Sequence, residues 1–197
     1  MKRLLCLLLM LVIPFTAVCA ENIPEATTSA TADINTRKIA YAKSSADIFM
    51  DSLDDVMREE LVRSVVSEND EIILAKMLYG EDRENPTYMR AAIIWCVFNR
   101  MDAGHSSISE VVTHERFPGY MSGNPVKRWA VELIWDVTIR YVLELNGFTS
   151  VGRVLPREYL YYEQPEGKRY HVFKTGPKLS NSIHWDWSLP SPYVSDK

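Results

Sequence analysis

The sequence predicts an α+β fold that is mainly helical, with one small β-hairpin near its C-terminal end. Apolar residues recur at helical spacing in three stretches that come first along the chain: 37–66, 74–100 and 124–147. Two short aromatic-rich runs, 153–164 and 169–175, then flank Pro165-Glu166-Gly167-Lys168, which is the profile of a β-hairpin. Helices followed by a single hairpin favour an α+β domain dominated by helix.

Residues 1–20 have the pattern of a secretory signal peptide. Lys2-Arg3 precede an apolar run, and Val18-Cys19-Ala20 places small residues at the cleavage positions. The apolar run is too short for a permanent transmembrane anchor, so we expect an exported protein of the periplasm, the cell envelope or the medium. Lipid attachment at Cys19 is a second interpretation, which the residues before it fit poorly.

Charge and cysteine content narrow the function classes. The chain has a formal charge of −4, and removing the two positive charges of the signal peptide leaves −6. A chain with this balance lacks a basic face to neutralise phosphates, so we expect no nucleic acid partner.

Of Cys6, Cys19 and Cys96, only Cys96 remains after cleavage, and it cannot form an internal disulfide. Its apolar helical surroundings favour a buried small residue over a nucleophile.

Three segments are predicted beyond the signal peptide. Residues 21–36 are rich in Thr, Ala and Ser and are interpreted as a flexible tether. Residues 37–66 are predicted to form an amphipathic arm of one long helix or two short ones, which packs on the domain by default. Residues 67–197 are predicted to form the main domain.

Capping signals set the predicted helix ends of this domain. Asn85-Pro86 and Asn124-Pro125 each combine an N-cap residue with a proline for the first helical position, so they are predicted to open two helices. The sequence from Ser107 to Glu110 has the capping-box pattern and predicts a short helix. Gly104 and Gly147 are predicted to end the helices before them.

The clearest candidate for chemistry is Glu81, near the end of the first helical run of the main domain. Leu74, Met77, Leu78 and Glu81 fall at helical spacing on one side, so the face predicted to enter the core ends in a carboxylic acid. Apolar neighbours and the negative end of a helix both raise the pKa of such a group, as a general acid requires. A solvated surface residue is the ordinary role of such a Glu, and the apolar neighbours on its face distinguish it.

The residues around Glu81 resemble one known family. The order Tyr79-Gly80-Glu81, Arg83, Pro86, an Ala- and Ile-rich helix and then Asn99-Arg100 is similar to the SleB-type cell wall hydrolases, the spore cortex-lytic enzymes and their relatives. The spacing from the Glu to the closing Asn-Arg pair needs no gap, and a weaker likeness extends over residues 69–193. The resemblance implies a lysozyme-like fold and places the family's catalytic Glu at Glu81.

Cleavage of a glycosidic bond usually needs a second carboxylate besides the acid, and none is evident. Asp102 and Glu115 are candidates without support, while Asp136 and Glu144 lie on the long helix. A single Glu suffices if it protonates the leaving oxygen and then, as base, lets the 6-hydroxyl of the substrate attack, which gives a 1,6-anhydro sugar. The resemblance implies this lytic transglycosylase chemistry between N-acetylmuramic acid and N-acetylglucosamine in peptidoglycan strands, and we expect no metal or cofactor.

Further site residues follow from the resemblance alone. It implies substrate-binding roles for six residues of the acidic loop, the middle loop and the hairpin: Arg83, Phe117, Tyr161, Tyr162, His171 and Phe173. Sugar rings stack their apolar faces on aromatic side chains, although half the aromatics of a strand belong to the core. Asn99 and Arg100 are expected to brace the acidic loop from the neighbouring helix end.

Two other function classes stay open. Glu84 stands where the family usually has Gly, and Asn85 stands where a second Glu is common. These departures give weight to a non-catalytic envelope protein that binds glycan. A metal-dependent peptidoglycan amidase would need His105, Glu110 and His114 as ligands, but only Glu110 and His114 share a helical turn, and that spacing is common by chance.

Overall fold

The structure, a computed structural model, describes residues 42–81, 85–104, 107–114, 117, 119–166, 170–177 and 182–193. Its helices are α1 (Ser45–Ser52), α2 (Asp55–Arg63), α3 (Glu68–Glu81), α4 (Thr87–Asp102), α5 (Ile108–Thr113) and α6 (Arg128–Leu145), followed by the strands β1 (Tyr161–Glu163) and β2 (Val172–Lys174). The mainly helical α+β class is therefore confirmed. The predicted signal peptide and tether lie outside the described residues. Among the described helices, none is long and apolar enough to cross a membrane.

The predicted arm forms the two short helices α1 and α2, which pack on the long helix α6. Ser44 and Asp54 cap them, because each side chain accepts a hydrogen bond from a backbone N–H of the first turn. The helical spacing of the apolar residues in this arm predicts that Ile48 and Val56 belong to its buried stripe, but they are 51% and 67% exposed. That assignment is wrong because the chain leaves the helix at Leu53 and Asp54, so the two helices do not continue one face.

The core lies among α3, α4 and α6. Helix α4 is buried from residue 91 to residue 100, which makes it the central helix. Leu74, Met77 and Leu78 of α3 are fully buried, so the predicted core face is confirmed. Phe98 of α4 stacks on Tyr141 of α6 with ring centroids 4.5 Å apart.

Helix α4 begins slightly later than the capping signal predicts. Pro86 occupies the N-cap position rather than the first helical position, because its ψ of 150° is extended. Asn85, the predicted cap, is buried beside it. The predicted stops are confirmed, since Gly104 and Gly147 follow α4 and α6 with φ of +107° and +93°.

Helix α6 also begins later than predicted. Its first residue is Arg128 and its N-cap is Lys127, so Asn124-Pro125 does not open the helix. The Asn124 side chain is committed elsewhere, because its amide donates hydrogen bonds to the carbonyls of Lys76 and Gly119. Asn124 therefore does not cap α6, and its side chain instead attaches the loop to α3.

The hairpin is shorter than the two aromatic runs predict. Strands β1 and β2 are antiparallel, and Tyr162 lies opposite Phe173. The segment before β1 is irregular because its carbonyls bond to side chains, among them the Asn99 amide, which donates to the carbonyls of Pro156 and Tyr159. The tail is joined to β2 by an isolated bridge between His184 and Lys174, and the backbone N–H of Trp185 donates to the Phe173 carbonyl at 2.8 Å.

Candidate active site

Glu81 is the last residue of α3, and its side chain is partly exposed. The buried face of the helix leads directly to it, as the sequence predicts. Its carboxyl oxygen Oε1 accepts a hydrogen bond of 2.6 Å from the backbone N–H of Gly119. A hydrogen bond from an N–H to a carboxylate is short and stronger than a neutral one, so this contact fixes the direction of the Glu81 carboxyl.

Close approach of two backbones makes this contact geometrically feasible. A Cβ atom on Gly80 would lie 1.8 Å from the Gly119 carbonyl oxygen and 2.6 Å from Asn124 Nδ2. No other residue therefore fits at position 80 without movement of the loop of residues 119–124. Glycine is required here to let the loop lie against the end of α3, next to Glu81.

Tyr162 brings a buried hydroxyl to Glu81 from β1. Its ring contacts the rings of Phe117, His171 and Phe173, with centroids 5.3, 5.1 and 5.6 Å away. The hydroxyl is buried and, within the described part of the chain, makes no hydrogen bond of ordinary geometry. Burial first, and then the nearby charge of Glu81, raise the pKa of Tyr162 well above its usual value. The phenol is therefore a neutral O–H group that faces the carboxyl.

Asn99 and Arg100 hold the segment that leads into β1. The Asn99 amide donates to two of its carbonyls, and Arg100 Nε donates to the Leu160 carbonyl at 2.5 Å. The Arg100 guanidinium lies over the rings of Phe117 and Tyr161, at 4.8 and 5.2 Å from their centroids. The acidic loop that these residues were expected to brace lies outside the described residues, so this expectation stays a prediction.

The residues assigned to substrate binding fall into two groups. Phe117, His171 and Phe173 are only 3%, 2% and 1% exposed, so in this conformation they pack behind the site and support Tyr162. Tyr161 and Tyr162 are partly exposed, although the hydroxyl of Tyr162 is buried. Arg83 lies outside the described residues.

Most of the second carboxylates considered from the sequence have structural partners. Asp102 accepts a hydrogen bond from the Tyr141 hydroxyl at 2.6 Å. Asp136 pairs with Arg140, and Glu144 pairs with Arg153 at 2.9 and 2.7 Å. Glu115 lies outside the described residues. Each of the three described candidates is thus engaged in holding α4, α6 or the loop after α6.

The described residues contain no group of three or more His, Cys, Asp or Glu side chains that could hold a metal ion. Glu110 and His114, from the predicted metal cluster, are both exposed at α5 and the residue that follows it. His105, the third residue of that cluster, is not among the described residues.

Two residues of the site were missed from the sequence. Gly119 follows a proline and gives only a turn signal, which does not reveal that its N–H reaches Glu81. The Asn124-Pro125 pair predicts a helix cap, which gives no sign of the contact with the Gly119 carbonyl. Gly80 was part of the motif but had no assigned role, and a Gly in the last turn of a predicted helix was the one signal that a second backbone comes close.

No protein-family model matches the chain, and neither a curated protein nor a solved structure matches it. The likeness to SleB-type cell wall hydrolases therefore rests on the motif around Glu81. The α+β class holds without it, whereas the lysozyme-like fold stays a prediction.

Proposed function

We propose that this protein cleaves peptidoglycan glycan strands as a lytic transglycosylase, with Glu81 as both acid and base. The observation that carries the proposal is the carboxyl of Glu81 at a helix end, partly exposed and held through Oε1 by the Gly119 N–H at 2.6 Å. The motif that resembles the SleB-type hydrolases contributes the substrate class. The protein would act after export, on the bond between N-acetylmuramic acid and N-acetylglucosamine.

The hydrogen bond at Oε1 makes the two oxygens of the Glu81 carboxyl unequal. A backbone N–H can only donate, so Oε1 must be an acceptor whether the carboxyl is protonated or ionised. Because this hydrogen bond occupies Oε1, Oε2 is the oxygen better placed to carry the transferable proton. The same oxygen gives the proton to the leaving group and later receives one from the 6-hydroxyl of the substrate, which is what a scheme with a single acid requires.

The surroundings of Glu81 suit the charge changes of this scheme. Tyr162 is a neutral hydrogen-bond donor because its pKa is raised, so it can stabilise the carboxylate that forms when Glu81 gives up its proton. Arg100 is close enough to lower the pKa of Tyr162 somewhat, and it adds a fixed positive charge beside the pair. Both side chains are held by aromatic contacts, so they need no rearrangement during the reaction.

A single-acid reaction also agrees with the contacts of the three described candidates for a second carboxylate. Asp102, Asp136 and Glu144 are bonded to Tyr141, Arg140 and Arg153, where they stabilise the fold. A hydrolase that used one of these three as its second carboxylate would need to break such a contact to supply a nucleophile or base. This argument favours the anhydro product over the hydrolytic product.

The test is mass spectrometry of the muropeptides that purified peptidoglycan releases, with wild type compared with Glu81→Gln. The Gln variant is a close isostere whose amide oxygen still accepts from the Gly119 N–H, so it should fold while it cannot transfer the proton. We expect anhydro ends from wild type alone. Reducing N-acetylmuramic acid ends from wild type alone would keep Glu81 as the acid but make water the acceptor.

The same assay separates the other function classes. Free stem peptides with intact glycan strands would indicate an amidase. No product from either protein, together with co-sedimentation with peptidoglycan, would indicate a glycan-binding protein without activity. Full activity of Glu81→Gln would remove Glu81 from the reaction.

A further inference from the structure

The side-chain amide of Asn124 joins the end of α3 to the loop that supplies the Gly119 N–H. Its Nδ2 donates to the Gly119 carbonyl at 2.9 Å and to the Lys76 carbonyl at 3.0 Å, so both of its N–H groups are used. Lys76 lies in α3, one turn before Gly80. Asn124 therefore connects, through two backbone carbonyls, the helix that carries Glu81 and the residue that bonds to Glu81.

Glycine at position 119 makes such a connection necessary. A glycine between two peptide planes has wide freedom in φ and ψ, so its N–H is not directed by its own backbone preference. The Gly119 carbonyl belongs to the peptide plane that follows and is held by Asn124, while its N–H belongs to the plane that precedes and meets Glu81. When the following plane is fixed, the range of directions that the N–H can take is reduced.

We propose that Asn124 is a positioning residue of the Glu81 site: it aims the Gly119 N–H at Oε1 and so leaves Oε2 to carry the transferable proton. This role rests on the proposed function, but the aim of the N–H is a property of the folded protein and can be measured without substrate. Asn124 does not itself contact Glu81 through a hydrogen bond between described atoms; it acts through Gly119.

The sharpest variant is Asn124→Asp. The two side chains have the same shape, but a carboxylate donates no hydrogen bond and would face two carbonyl oxygens. Asn124→Ala is the second variant. It removes both donors without adding a charge at a half-buried position, so it still tests the proposal if Asn124→Asp fails to fold. The matched control is Asn146→Asp at the other end of α6, where a single amide donates to the Val142 carbonyl at 2.7 Å.

The first readout is the kinetics of glycan cleavage. If the Gly119 N–H no longer points at Oε1, the Glu81 carboxyl is misplaced, and kcat should fall by about 100-fold for Asn124→Asp and by less for Asn124→Ala. KM should change by less than about twofold, because Asn124 acts on the Glu81 carboxyl and not on the sugar. Asn146→Asp should keep both constants.

The second readout is the NMR signal of the Gly119 amide, which does not depend on activity. Pro118-Gly119 is the one Pro-Gly pair of the chain, so labelling with carbonyl-13C proline and 15N glycine selects a single amide. Glu81→Gln replaces the carboxyl oxygen that accepts from the Gly119 N–H with an amide oxygen, so it should change the chemical shift of this amide proton. In the Asn124→Asp and Asn124→Ala backgrounds the same change should move it far less, whereas in the Asn146→Asp background the shift should be retained.

The outcomes separate this inference from the proposed function. The positioning role would be overturned if Glu81→Gln moved the Gly119 amide signal as far in both Asn124 backgrounds as in wild type. It would also be overturned if the Asn146→Asp background reduced this change as much as the Asn124 backgrounds do. Either result would count even if Glu81 proves essential for lysis. A diminished shift in the Asn124 backgrounds alone would support it even if no glycan is cleaved. A raised KM with an unchanged kcat in both Asn124 variants would also overturn it, since that pattern indicates a lost substrate contact.

Discussion

Gly80 and Gly119 touch backbone to backbone at the base of the candidate site. A Cβ atom on Gly119 would lie 2.2 Å from the backbone nitrogen of Glu81, and one on Gly80 would collide with the Gly119 carbonyl. The contact therefore requires glycine on both sides. It is this contact that brings a backbone N–H within 2.6 Å of a carboxyl at the end of α3.

Substitution of Gly80 by Ala should damage stability and activity together. The new Cβ would meet backbone, which cannot rotate away, so the loop has to move from α3 and the Gly119 N–H leaves Glu81. Such overpacking typically lowers the free energy of unfolding by about 1–3 kcal/mol. Denaturant unfolding followed by circular dichroism measures the loss, and clearing of a peptidoglycan suspension measures the activity.

Gly123→Ala is the matched control in the same loop. A Cβ atom there would have no neighbour within 4 Å, so the free energy of unfolding should stay within about 0.5 kcal/mol of wild type and the suspension should still clear. If Gly80→Ala behaved like Gly123→Ala in both assays, the contact between Gly80 and Gly119 would have no part in building the site.

Tyr162→Phe should lower activity without a loss of stability. The hydroxyl is buried and has no hydrogen-bond partner among the described atoms, so its removal should leave the free energy of unfolding unchanged or raised. A hydrogen bond to a charged group contributes about 1.5–3 kcal/mol, which corresponds to at least a tenfold fall in kcat if Tyr162 stabilises the Glu81 carboxylate. Tyr159→Phe is the control, because Tyr159 is also buried but packs on Trp185. Equal kcat values for wild type and Tyr162→Phe would exclude this role.

The helices could be predicted because local signals and packing agree. The apolar face of Leu74, Met77 and Leu78 is buried as its spacing predicts, and Gly104 and Gly147 have the positive φ values of helix stops. The exposed positions of Ile48 and Val56 could not be predicted, since they depend on where the chain leaves the helix and on the packing of α1 and α2 against α6.

The site could be predicted only in part. Glu81 follows from local spacing, because the buried face and the acid are on the same helix. Its partners come from far along the chain: Gly119 from a loop and Tyr162 from the hairpin, and no local pattern states that they meet. Asn124 shows the difficulty most clearly, since an Asn-Pro pair has one meaning as a helix cap and another when tertiary contacts capture the amide.

The stability of the fold should fall in alkaline solution because buried tyrosines keep their protons. Burial first, and then a carboxylate, raises the pKa of Tyr141 beside Asp102 and of Tyr193 beside Asp136. Below about pH 10 these phenols are neutral in both states and their contribution is fully present. Above it the unfolded chain releases protons that the native state retains, so each tyrosine lowers the free energy of unfolding by about 1.4 kcal/mol per pH unit until its own folded pKa is reached.

Urea unfolding in steps from about pH 8 to pH 11 measures this dependence, since the usual tyrosine pKa falls within that range. Tyr193→Phe removes one of the retained protons, so the alkaline slope should become shallower by about 1.4 kcal/mol per pH unit. Tyr170→Phe, at an exposed position, should leave the slope unchanged. A slope that is the same in Tyr193→Phe and in wild type would show that the Tyr193 phenol titrates alike in both states.

Arg140→Met should be among the most destabilising changes away from the site. The guanidinium Nη1 donates to Asp47 Oδ1 of α1 at 2.9 Å, and Nε donates to Asp136 Oδ2 at 2.9 Å, so one cation joins the arm to α6. Its removal leaves Asp47 buried, only 6% exposed, without this partner, and breaking such a pair costs about 3–5 kcal/mol of unfolding free energy. Arg128→Met, which breaks an exposed pair, should cost no more than about 1 kcal/mol. Because the cost comes from a buried charge, adding Asp47→Asn to Arg140→Met should recover part of the lost stability, which thermal unfolding measures. If the double variant is less stable than Arg140→Met, the buried charge is not the cause.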